Sequence, residues 1–136
     1  MSSLQLKESL KAKFENGEFA ETDLPSFFDV FSHLSNEVED IQDVAKGWNS
    51  IVEFELTDAG SFWIQIRDGK FSNGAGNNSD ATLRLSLSAA TAAQIFVGEK
   101  DAEALLNSGE LKVTGDFPDA VHFYEILELV LEEIEN

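Results

Sequence analysis

Apolar positions recur at two different periods along this chain, and each change of period marks an element. Residues 4–14 read as a short amphipathic helix. Pro25 is placed to open a second one, in which Phe27, Phe31, Leu34, Val38 and Ile41 fall on one side. Asp29, Glu37, Asp40 and Asp43 fall on the other, so this helix is predicted to lie on a core with its acidic side wet until Gly47 ends it. Beyond it the period drops to two. Val52, Phe54 and Leu56 alternate with Glu53, Glu55 and Thr57, and after Asp58-Ala59-Gly60 the residues Phe62, Ile64 and Ile66 alternate with Trp63, Gln65 and Arg67. Two such runs across a tight turn predict a hairpin with one apolar face.

Asp68-Gly69 marks another turn, and Asn73-Gly74-Ala75-Gly76-Asn77-Asn78 reads as a loop. Leu83, Leu85 and Leu87 alternate with Thr82, Arg84 and Ser86 and predict a further strand, as an antiparallel sheet with one wet face requires. Ser88 is placed to cap a helix through Phe96, and a second short helix over residues 101–106 stops at Asn107-Ser108-Gly109. A strand over residues 111–114 follows, with Leu111 and Val113 on its apolar side. Pro118 and Asp119 suit the first turn of a last helix. That helix carries Ala120, Val121, Phe123, Tyr124, Ile126, Leu127, Leu129, Val130, Leu131 and Ile134, more apolar surface than a single stripe needs. A thick core, a partner protein or an apolar ligand must cover the excess. The whole order predicts an α+β fold in which helices gather on one face of a largely antiparallel sheet. Residues 1–136 are expected to form a single domain, helical over about 1–46, with the sheet and remaining helices over about 49–136.

A chain of 136 residues is long enough for a hydrophobic core without staples, and it contains no cysteine, which excludes disulfides and thiolate chemistry. The net charge of −17 comes from 26 acidic and nine basic residues, and residues 116–136 hold seven acids with no Lys or Arg. Such a surface repels phosphate backbones and anionic headgroups, so neither nucleic acid nor an anionic membrane is an expected partner. Solubility, a basic protein partner and a salty cytoplasm each fit the acidity. The first residues lack the basic segment and apolar run of a secretory signal, and no stretch is long and apolar enough to span a bilayer, so a cytoplasmic location is expected.

Catalytic chemistry finds little support. His33 and His122 stand in separate predicted helices with no metal-ligand motif, and Glu132, Glu133 and Glu135 read as solvated charge at a helix end. The loop at 73–78 lacks both a phosphate-binding lysine and the glycine spacing of a dinucleotide fingerprint. The expectation is a protein that is not an enzyme and holds no metal or cofactor. On the outer sheet face, Arg67, Arg84 and Lys112 can pair with Glu53 or Glu55 across strands. Trp63 shares that face and asks for cover; Trp48 and Trp63 fit either a protein contact or packing of the N-terminal helix across the sheet.

The stretch Asp80-Ala81-Thr82-Leu83-Arg84-Leu85-Ser86-Leu87-Ser88, the short helices over 89–106 and Ser108-Gly109-Glu110-Leu111-Lys112-Val113-Thr114-Gly115-Asp116 resemble the second half of the sterol carrier protein type two family. The resemblance is strongest over residues 80–131. It implies a five-stranded sheet backed by helices around an apolar tunnel that holds a fatty acyl, isoprenoid or sterol-like molecule for noncatalytic binding or transfer. Carried onto this chain, Val52, Phe54, Phe62, Ile64, Leu83, Leu85, Leu111 and Val113 would form the sheet wall, and Phe96, Leu105, Leu106, Phe123 and Leu127 the helical side. This chain departs from the family pattern at Phe117-Pro118-Asp119, and Phe117, Phe123 and Tyr124 are placed to narrow the tunnel, which points to a smaller or flatter ligand than a sterol. The alternative is an acidic accessory subunit or interaction module that keeps the fold with a reduced or plugged cavity.

Overall fold

The computed structural model describes residues 3–135. Three helical segments come first: α1 (Ser3–Asn16), α2 (Leu24–Glu37) and α3 (Glu39–Ala45). A meander follows, β1 (Ser50–Leu56), β2 (Gly60–Arg67) and β3 (Lys70–Ala75), and the chain then crosses to β4 (Leu83–Leu87). The short helices α4 (Ala89–Phe96) and α5 (Ala102–Ser108), the strand β5 (Lys112–Gly115) and the long α6 (Phe117–Glu135) complete it. The five strands lie in the order β3-β2-β1-β4-β5. All neighbours are antiparallel except the central pair β1 and β4, which sets Phe54 beside Leu85. The result is the expected α+β fold with a mixed sheet flanked by helices.

One face of the sheet carries the buried side chains Val52, Phe54, Leu56, Ile64, Ile66, Leu83 and Leu87. α2 covers the β2–β3 side, α6 covers β4 and β5, and α1 packs over both helices. The apolar excess of α6 is thereby partly explained: Ile126, Val130 and Ile134 are fully buried, while Phe117, Val121 and Tyr124 near its start stay exposed. Asn36 of α2 closes the outer edge of β3, donating to the Phe71 carbonyl at 2.9 Å and accepting the Phe71 N–H at 2.8 Å.

Three sequence expectations need correction. The single helix expected over Pro25–Val44 is two, because Val38 is extended (φ −81°, ψ 120°) between α2 and α3. Gln42 accounts for the break: its amide donates to the Ser35 carbonyl at 2.6 Å and to the Gly69 carbonyl at 2.9 Å, tying α3 to the β2–β3 turn. Second, residues 73–75 belong to β3 rather than to a loop, since Gly74 pairs with Trp63, and a Cβ there would stand 2.5 Å from the indole. The bare glycine lets that ring lie across the strand, which is how Trp63 finds partial cover on the outer face. Third, Glu53 is buried instead of lying on an open face. The β3–β4 crossover passes over it, and its carboxylate accepts the Asn78 N–H at 2.6 Å and meets Arg84 at 3.4 Å, which realises the cross-strand pairing in a covered setting.

Trp48 packs inside the molecule. Its ring stacks on His122 at 4.1 Å, and its indole N–H donates to Asp119 at 3.1 Å. His122 Nε2 also lies 2.8 Å from the Val44 carbonyl, so the histidine has a structural role. Among the described residues no helix is long and apolar enough to cross a membrane, and no group of His, Asp or Glu side chains is arranged to hold a metal ion.

Candidate functional site: an apolar cavity beneath the last helix

The exposed start of α6 roofs a cavity of about 560 Å³. Phe54 of β1, Leu85 and Leu87 of β4 and Leu111 and Val113 at β5 form its floor. Ile95 and Phe96 of α4 and Ala102 and Leu106 of α5 close two sides. Phe117, Ala120, Val121, Phe123, Tyr124 and Leu127 cover it from α6. The spacing of Phe117, Ala120, Val121 and Tyr124 places them on one helical stripe, at the mouth. Phe117 is 55% exposed and Val121 52%, values a sealed core would not permit.

Local chemistry holds these walls in place. The Ser88 hydroxyl caps α4 by accepting the Thr91 N–H at 3.1 Å, as the sequence predicts, and Asp58 from the β1–β2 turn accepts the Ala89 N–H at 2.9 Å. Asp101 caps α5 through the Ala104 N–H at 3.3 Å, and the Leu111 N–H donates to the Leu105 carbonyl at 3.1 Å, fastening α5 to the floor. Gly115 lets β5 turn into α6. Its φ is +117°, and a Cβ there would stand 2.2 Å from the Thr82 carbonyl oxygen. Asp119 then ties the first turn of α6 to β1 by accepting from Ser50 at 3.2 Å.

Aromatic rings close the inner end. Phe27 stacks on Phe96 at 4.2 Å and Phe31 on Phe123 at 5.2 Å, while Phe28 meets Phe54 at 5.0 Å and Phe62 at 5.2 Å. Phe54, Phe96 and Phe123 therefore serve the core and the cavity wall together. Among the described residues, those of the cavity lining that lie in helices belong to α4, α5 and α6.

Of the site residues taken from the resemblance, Phe54, Leu85, Phe96, Leu106, Val113, Phe123 and Leu127 come together at the cavity. Phe62 lies in the aromatic cluster, and Ile64, Leu83 and Leu105 are buried in the core without reaching the lining. Leu87, Ile95, Ala102, Ala120 and Val121 join the lining without having been singled out for a site. For Ala120 and Val121 the signal was the unexplained apolar surplus of the last helix.

The remaining lining is polar: Asp101, Glu103 and Asn107 at one side of the mouth. The Tyr124 phenol, which shares that mouth, has its pKa raised by partial burial and then by the negative charges of Glu128 and Asp101.

The fold recurs in known proteins. The chain is similar to a stereoselective inverting sec-alkylsulfatase from Pseudomonas sp. (TM-score 0.61, 22% identity), over 76% of this chain and 16% of that enzyme. It thus spans a small part of the sulfatase, and the likeness is one of fold. It is also similar to sterol carrier protein 2 from Yarrowia lipolytica in its apo form, with TM-score 0.60 and 28% identity over 76% of this chain and 88% of that one. A further similarity, with TM-score 0.58 and 18% identity, is to the UbiJ-SCP2 ubiquinone synthesis protein, over 80% of this chain and 88% of that one. No curated protein matches the chain by sequence. The family model for SCP-2 sterol transfer proteins matches residues 31–128, a span that takes in all five strands together with α4 and α5 and reaches from α2 into α6. The chain therefore belongs to the SCP-2 sterol transfer family, whose members are typically noncatalytic lipid carriers.

Proposed function

We propose that this protein binds a lipid, and carries it, in the cavity beneath α6, with residues 1–136 working as one unit. The observation that supports the reading is the cavity itself: about 560 Å³ of space lined largely by apolar side chains, with Phe117 and Val121 exposed at its mouth. Hydrocarbon placed there leaves water, which is worth about 0.8 kcal/mol per buried CH₂, and no reacting group is needed. Phe54, Leu85, Phe96, Leu106, Val113, Phe123 and Leu127 would contact the ligand, while Phe62, Ile64, Leu83 and Leu105 would support the wall behind them. The aromatic closure of the inner end favours a slim acyl or isoprenoid chain over a sterol.

Titration with Nile red, a neutral apolar probe, should saturate at a fixed stoichiometry and reverse on adding acyl or isoprenoid compounds. Leu106→Trp, which fills the space from a half-buried position, should weaken binding while circular dichroism stays native. Non-saturable binding, or a Leu106→Trp variant that binds as the wild type does, would sink the reading.

A second reading has its own support. Asp29 and Glu37 of α2 and Asp40 and Asp43 of α3 are all exposed, and such acidic side chains suit a basic protein partner. As an accessory subunit the protein would be recovered from its cells at the mass of a specific complex. As a carrier it would be recovered mainly as a free chain with a small molecule bound.

A further inference from the structure

The mouth of the cavity has one sign of charge. Among the described residues its charged lining consists of Asp101 and Glu103, with Asn107 beside them and no Lys or Arg. The nearby cations do not offset this. Lys112 alternates with Leu111 and Val113, so it faces away from the cavity and lines a separate recess with Thr57 and Ser86. Lys100 is exposed and stands outside the lining, although it precedes Asp101 in the chain. The Tyr124 pKa is raised first by partial burial and then by the negative charges of Glu128 and Asp101, the last of which belongs to this mouth.

A lipid that fills the apolar interior must leave its polar end at this mouth, the only part of the described lining that is not apolar. An anionic end would meet two carboxylates at short range with no cation to receive it, next to a low-dielectric wall that strengthens the repulsion. A hydroxyl or an amine would instead find acceptors in Asp101, Glu103 and Asn107.

We infer that the cavity selects single-chain lipids whose polar end is uncharged or cationic and rejects those ending in a carboxylate, with Asp101 and Glu103 as the specificity-determining residues. The inference rests on the lipid-binding reading above and adds the class of headgroup.

Displacement of Nile red by dodecanol, dodecylamine and dodecanoate, matched in chain length, tests it at neutral pH. Dodecanol and dodecylamine should displace the probe, and dodecanoate should be weaker than dodecanol by about tenfold at low salt, a gap that narrows as ionic strength rises. The double variant Asp101→Asn, Glu103→Gln should bring dodecanoate to within about twofold of dodecanol. Asn serves as well as Asp at a helix N-cap, so α5 should keep its start. The control Asp40→Asn, Asp43→Asn removes the same charge from α3 and should leave the gap as it is. Equal displacement by dodecanoate and dodecanol in the wild type would overturn the inference. So would a gap that survives in the double variant, or one that the control closes equally well. Failure of all three compounds would overturn the lipid-binding reading itself, and this inference with it.

Discussion

Gly115 shows how one residue can fix the geometry of the site. Its positive φ and the Thr82 carbonyl at 2.2 Å from a would-be Cβ leave no room for a side chain where β5 hands over to α6. Gly109 also has positive φ, at +85°, but nothing lies within 4 Å of its would-be Cβ. Gly115→Ala should therefore destabilise by about 3 kcal/mol, from backbone strain and the clash together, and Gly109→Ala by about 1 kcal/mol from strain alone. Urea denaturation of the two variants checks the order, and equal midpoints would show that the close approach at Gly115 carries no cost. The sequence displays Gly115-Asp116 within a motif, yet the reason for the glycine is the carbonyl of Thr82, just ahead of β4. Glu53 teaches the same lesson in reverse: alternation places it on the outer face correctly, while its burial depends on a crossover that local pattern does not describe.

Elements are held together here by a few side chains that bond backbone in a neighbouring element. Asn36 supplies β3 with two hydrogen bonds that a further strand would otherwise provide. Asn36→Ala should cost about 2 kcal/mol, at about 1 kcal/mol per bond, and should speed amide exchange at Phe71 more than at Phe54 in the central strand. Exchange unchanged at Phe71 would mean that the edge is protected by other means. Lys13 of α1 bonds Asp23 ahead of α2. Burial raises the Asp23 pKa, but the Lys13 hydrogen bond, the Ala20 N–H and the Lys13 charge together outweigh it and hold the value below 3.8. A depressed folded pKa contributes stability above the unfolded value that is lost as pH falls through the folded one. Asp23→Asn should therefore lower stability at neutral pH and make the acid limb of the stability curve shallower, as read by thermal melts across that range.

At the scale of the whole molecule, repulsion among like charges is the chief electrostatic effect. The net charge of −17 sits on a small fold whose ion pairs include Lys7–Glu133, Lys13–Asp23 and Arg84–Glu53. Screening should relieve the excess, so the melting temperature should rise when sodium chloride is raised from about 0.01 M to about 0.15 M, where the Debye length shrinks from about 30 Å to about 8 Å. A fall over the same interval would indicate that local ion pairs outweigh the global repulsion. The same imbalance, concentrated at the mouth by Asp101 and Glu103, is what gives the cavity its proposed preference among headgroups.

Periodicity marked four of the five strands, most of the helices and the apolar side of each, and residue type marked the cap at Ser88, because those depend on neighbours three or four residues away at most; it neither divided α2 from α3 nor defined β3. Resemblance over residues 80–131 added the family and several of the residues that meet at the cavity. Tertiary structure decided the rest. The break at Val38 follows from Gln42 reaching the turn at Gly69, and the extension of β3 follows from Trp63 lying over Gly74. Whether an apolar residue fills the core or faces empty space was likewise beyond the local pattern: Leu105 and Leu106 are adjacent in one helix, yet only Leu106 lines the cavity. Hydrophobicity drives both kinds of residue out of water equally, and only the positions of the facing elements distinguish a packed wall from an open one.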